Sequence, residues 1–124
     1  MEKILMAVFT LAFSLPTVAR ENCINSYWIP FDAELYAPES ELTIEARAFE
    51  KGSIPKSVAI SLAPENFPTT EVQAYNPKNV RAVVLTSGAE IYIDRFGWVR
   101  QGSAYGKADM AEIEEKLSRS CEEK

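Results

Sequence analysis

VRAVVLTSGAEIYIDRFGWVRQGS, residues 80–103, is the stretch whose reading decides the fold class. Residues 80–86 form a short, mostly apolar run of the kind that fills a buried strand. Ser87 and Gly88 offer a tight turn, after which Ala89, Ile91 and Ile93 alternate with Glu90, Tyr92 and Asp94 at the strand period of two. Asp94, Arg95, Phe96 and Gly97 then have the form of a type I turn followed by a left-handed glycine, leading into Trp98, Val99 and Arg100. The stretch predicts a three-stranded antiparallel meander.

Downstream, residues 109–121 (DMAEIEEKLSRSC) predict the clearest helix in the chain. Asp109 can cap it, and Glu112 lies three residues on, at capping-box spacing. Met110, Ile113, Leu117 and Cys121 fall on one face, which directs Cys121 inward, while Glu114, Glu115 and Arg119 face solvent.

Upstream, residues 41–49 (ELTIEARAF) place Leu42, Ile44, Ala46 and Ala48 opposite Thr43, Glu45 and Arg47, a half-buried strand by period. A helix opened by Pro38 and closed at Lys51 and Gly52 competes with it over residues 38–52, but gives no clean apolar stripe. Residues 57–62 again put Val58, Ile60 and Leu62 on one face, with KGSIPK as the connection, so the expectation is a first hairpin. Residues 63–79 contain Pro64, Pro68 and Pro77 and read as a long surface excursion, with a short edge strand near residues 72–75. Residues 21–38 read as irregular, their aromatics Tyr27, Trp28, Phe31 and Tyr36 covering the edge of a core.

Residues 1–19 have the form of a secretory signal: Lys3, a run of about a dozen mostly apolar residues, then Thr17, Val18 and Ala19 at the cleavage subsites. Cleavage there starts the mature chain at Arg20 and leaves one domain, residues 20–124, soluble and periplasmic or secreted in a bacterium. Arg20, Glu21 and Asn22 do not suit lipid attachment at Cys23, where small or apolar residues should precede the cysteine. Two cysteines in an exported chain are expected to pair, Cys23 with Cys121. Closing a loop of about 100 residues contributes about 4–5 kcal/mol.

The formal net charge is −5, with no cluster of Lys and Arg, so nucleic acid and anionic membranes are poor partners and a basic protein surface suits better. The chain has no histidine, which excludes Ser-His and Cys-His nucleophilic systems and histidine-containing zinc sites. It has no CxxC, no phosphate-cradling glycine motif and no N-glycosylation sequon, and no cofactor or metal is expected. The carboxylates Glu90 with Asp94, and Asp32 with Glu34, are the residues on which a hydrolase would have to draw, but no perturbing partner is visible for either pair.

Tyr92, Arg95, Phe96, Trp98 and Arg100 instead concentrate the residue types of interface hot spots around one turn. The competing assignment packs Trp98 under the C-terminal helix and Phe96 over the sheet. EIYIDRFGWVRQG followed by ADMAEIEEKL resembles the closing strand-turn-strand-helix of thioredoxin-like domains over about a quarter of the chain. Without a CxxC and with little helix upstream, that resemblance carries no residue roles.

The expected fold is α+β: an antiparallel sheet of about five strands, a hairpin plus the meander, with one C-terminal helix on a face. The expected function is protein binding without catalysis, of inhibitor or immunity type. An accessory subunit of an envelope assembly is the alternative, and a carboxylate-dependent hydrolase a more distant one.

Overall fold

The computed structural model describes residues 23–35 and 38–121; the signal expected at residues 1–19, and Tyr36, lie outside the described residues. Six strands form one antiparallel sheet: β1 Cys23–Trp28, β2 Glu50–Pro55, β3 Val80–Val84, β4 Ile91–Asp94, β5 Trp98–Gln101 and β6 Ala104–Lys107. Their order across the sheet is β2-β1-β3-β4-β5-β6. The meander β3-β4-β5 stands as expected, and β6 lengthens it through a tight turn in which Gln101 pairs with Ala104. That sixth strand carries little apolar signal because Gly106 must pass under residues 64–67, where a Cβ would sit 2.6 Å from Pro64 O and 2.8 Å from Phe67 O. It also separates β5 from the C-terminal helix, so the chain departs there from the strand-turn-strand-helix order of the thioredoxin-like resemblance.

The expected first hairpin is replaced by a different pair of strands. Residues 41–49 hold a one-turn helix, α1 Ile44–Arg47, with Ile44 buried and Leu42 94% exposed. Local hydrogen bonds explain the loss of the strand: Ser40 N donates to Thr43 Oγ1 (2.9 Å), Leu42 N to Ser40 Oγ (3.2 Å) and Thr43 Oγ1 to Glu39 Oε1 (2.7 Å). Short polar side chains thereby give the backbone a turn in place of a ladder. Residues 57–61 are likewise helical, within α2 Lys56–Ser61, and Leu62 caps its C-terminus. Val58, Ala59 and Leu62 form its buried stripe, whereas Ile60, which a strand would turn inward, is 55% exposed. The segment KGSIPK, a connection by its sequence, supplies most of β2, which pairs with β1 from Cys23 opposite Pro55 to Trp28 opposite Glu50. β1 was hidden because its most buried position is a polar one, Ser26. No strand forms at residues 72–75.

The C-terminal helix, α3 Met110–Leu117, ends before Cys121. Asp109 makes no side-chain cap bond; its carbonyl instead accepts from Ile113 N at 3.1 Å.

Alternation along the strands divides the core into two layers. On one face Ile54, Ala82, Val84, Ile91, Ile93 and Val99 pack against α2 and α3, with Ile113 and Leu117 buried from α3. On the other, Val80 and Val83 pack with Ile29 and Ile44, partly covered by Tyr27, Tyr75 and Tyr92. A bulge at Arg81 shifts the β3-β4 register and lets Val80 and Ala82 serve opposite layers. Arg81 is buried, and its two terminal nitrogens donate to Pro30 O and Ala33 O, each at 3.0 Å. This ties residues 29–35 to the sheet.

Candidate functional site

The turn between β4 and β5 is locked from within. Asp94 is fully buried, and its Oδ1 accepts from Phe96 N and Trp98 N, both at 2.9 Å, while Oδ2 accepts from Asn76 N at 3.0 Å. Burial pushes this carboxyl above the ordinary aspartate range, against the pull of those backbone donors. Gly97 N closes the turn onto Asp94 O at 3.2 Å, and Gly97 has φ of 96°, the left-handed glycine expected after a type I turn. Asp94 is thus a positioning residue for the turn, and it does not stand on an open strand face beside Glu90, which is exposed.

The five residues expected to form one patch fall in two places. Arg95 and Phe96 occupy the tip of the turn. Phe96 is 59% exposed, with the Arg95 guanidinium carbon 6.0 Å from its ring centroid. Beside them lies a groove of about 350 Å³ lined by Phe31, Asp32, Arg95, Phe96, Met110 and Glu114 among others. Glu114 Oε2 accepts from Phe31 N at 2.8 Å and holds residues 29–35 against α3 as one wall of that groove. Met110 contributes apolar surface at its rim.

Tyr92, Trp98 and Arg100 point instead to the sheet face away from α2 and α3, as their cross-strand pairs Tyr92 with Arg100 and Trp98 with Lys107 require. Trp98 is 5% exposed and on the face opposite α3, so it does not pack under that helix; Lys107 Nζ stands 5.8 Å from its ring. Arg100 is the centre of a polar cluster. Its Nε and one terminal nitrogen grip both oxygens of Glu41, at 2.9 and 2.8 Å, and the other terminal nitrogen donates to Gly102 O. Tyr75 OH donates to the same Glu41, and the Arg100 guanidinium carbon lies 5.3 Å from the Tyr92 ring centroid and 5.9 Å from that of Tyr75.

Burial alone would raise the Glu41 carboxyl, but the bonds from Arg100 and Tyr75 and the Arg100 charge outweigh it and hold its pKa below the usual value. Burial and the neighbouring Glu41 push the Tyr75 hydroxyl upward, so it remains a proton donor. With Glu71 3.9 Å from Lys107 and Asn76 N on Asp94, the cluster straps residues 69–79 across this face. Arg100 and Tyr92 are therefore engaged within the fold.

Asp32 and Glu34 are exposed on the segment that Arg81 anchors, and Asp32 joins the groove wall. Among the described residues, no three Cys, Asp or Glu side chains gather as a metal site, and no helix is long and apolar enough to cross a membrane. Cys23 and Cys121 form a disulfide with Cα atoms 6.0 Å apart.

No local sequence pattern marks Glu41, Tyr75, Phe31, Met110 or Glu114 as a site residue. The acid Glu41 and its base Arg100 are 59 positions apart, a separation at which no local pattern links them. No family model, no curated protein and no solved structure matches this chain.

Proposed function

We propose that this chain is an exported protein-binding module, and that its contact surface is the Arg95-Phe96 tip together with the groove beside it. The observation that carries this reading is an exposed Phe96 on a turn held by three hydrogen bonds to one buried carboxylate and its backbone. An aromatic ring presented on a backbone already fixed loses little freedom on binding, so most of its buried area is available as affinity. Arg95 beside the ring and Met110 at the groove rim add the residue types that concentrate in interface centres.

The net charge of −5, with Asp32 and Glu114 on the groove wall, favours a partner whose contacting surface is basic. An inhibitor or immunity-type role fits such a surface, because a compact domain can block its target by occupying one cleft. The disulfide is compatible with an oxidising compartment.

Affinity capture from the source envelope fraction tests the reading. The oxidised protein should retain one stoichiometric basic partner, and Phe96→Ala should weaken its retention by about tenfold or more, the scale of a single hot-spot truncation. Capture of a partner that Phe96→Ala and Arg95→Glu leave unchanged would move the interface elsewhere.

A further inference from the structure

The path of the chain after α3 gives the disulfide a second role. Ile24 and Trp28 pack against the helical face, so Cys23, one residue from Ile24, projects to the opposite face. α3 lies on the helical face, where Ile113 and Leu117 are buried. To reach Cys23, residues 118–121 must pass around the outer side of β2.

They do so in contact with it: Cys121 N donates to Ser53 O at 2.6 Å, and residues 117–120 share a groove with residues 50–53. β2 is an edge strand. In β1, Asn25 O and Ile29 N bond towards β3, accepting from Leu85 N and donating to Arg81 O. The even residues of β1 therefore bond to β2, and Lys51, Ser53 and Pro55 turn their backbone groups outward. The tail occupies the middle one of these three positions. Both cysteines are only partly buried, so a small thiol can reach the bond that keeps the tail there.

Ser118 and Arg119 stay bonded to α3 through Glu114 O, Lys116 O and the Glu115 carboxylate, so the contact that depends on the disulfide is that of Cys121 with Ser53. We propose that the Cys23–Cys121 bond is a redox latch on the β2 edge, and that its reduction releases Cys121 from Ser53 and lets that edge pair with the same edge of a second copy. The reductant is a dithiol. One of its thiolates attacks a protein sulfur and displaces the other cysteine as a thiolate; its second thiol then resolves the mixed disulfide. Two electrons and two protons pass to Cys23 and Cys121, and the dithiol leaves as a disulfide.

The second copy is favoured by the pattern of the edge itself. An antiparallel two-fold centred on Gly52 sets Lys51 opposite Ser53 of the other copy and brings Phe49, 60% exposed, opposite Pro55. The register centred on Lys51 would oppose like charges and is disfavoured.

Sedimentation velocity and hydrogen exchange on the oxidised and dithiothreitol-treated full chain test this. The oxidised protein is expected to be a monomer with a protected Cys121 amide. The reduced protein should lose that protection while β3, β4 and β5 keep theirs, and should shift to the mass of a dimer with rising concentration. Reduced Ser53→Pro, which removes an outward N–H donor, and reduced Phe49→Asp should both release Cys121 yet stay monomeric. A reduced chain that keeps the Cys121 amide protected, that loses protection throughout the sheet, or that dimerises regardless of both substitutions overturns the proposal.

Discussion

Gly97 shows how one residue can be read from sequence and still hold more than the sequence says. Its place after Asp94, Arg95 and Phe96 predicts a left-handed glycine, and its φ of 96° agrees. What no turn rule conveys is the crowding: a Cβ there would lie 2.4 Å from Ala108 O. Gly97→Ala should therefore lower unfolding free energy by about 2–4 kcal/mol, from backbone strain and steric overlap together, as measured by urea denaturation. Glu41 is the contrary case, since its role depends on Arg100 and Tyr75 arriving from distant segments. Its folded pKa lies below the unfolded value, so the unfolded chain binds more protons and the stabilisation is present above about pH 4.5. As pH falls through the depressed folded value, that stabilisation is lost. Glu41→Gln should cost about 1–2 kcal/mol at pH 7, and the gap from the parent protein should narrow as pH falls below about 4.5 in paired denaturation curves.

At the scale of elements, the parts legible in sequence were those whose burial is symmetric and local. The strand β3 is an apolar run broken only by Arg81, β4 carries apolar residues at period two, and α3 carries them at helical spacing. The misread elements share a different property. Residues 57–62 satisfy both periods, and only the neighbouring sheet decides that Val58, Ala59 and Leu62 face inward while Ile60 faces water. Substitutions separate the two assignments: Ile60→Lys should change stability by no more than about 0.5 kcal/mol, whereas Leu62→Ala should cost about 2–5 kcal/mol in thermal or urea unfolding. β2 and β6 leave little sequence signal because edge strands bury little, and their residues answer to the tail and to residues 64–67 that cover them. The candidate site was legible in the same divided way. Phe96 stands exposed on its turn with Arg95 half-buried beside it, while Trp98 and Arg100, identical in composition to hot-spot residues, are absorbed by the opposite face.

For the molecule as a whole, the pairing of Cys23 with Cys121 was readable from their number and from the inward lean of the last helix, although that helix stops at Leu117. The route of the tail around β2 was not, because it depends on which face each cysteine approaches. Removing both thiols by Cys23→Ser with Cys121→Ser should lower stability by about 4–5 kcal/mol in urea unfolding. The same closure sets how the domain bears a mechanical load. Tension applied through residues before 23 and after 121 passes from one cysteine to the other and bypasses β1 beyond Cys23 and the other five strands. Pulled in an optical trap from those two ends, the oxidised protein should show no unfolding step. Once reduced, it should lengthen by roughly 300 Å as the 98 intervening peptide units come under force.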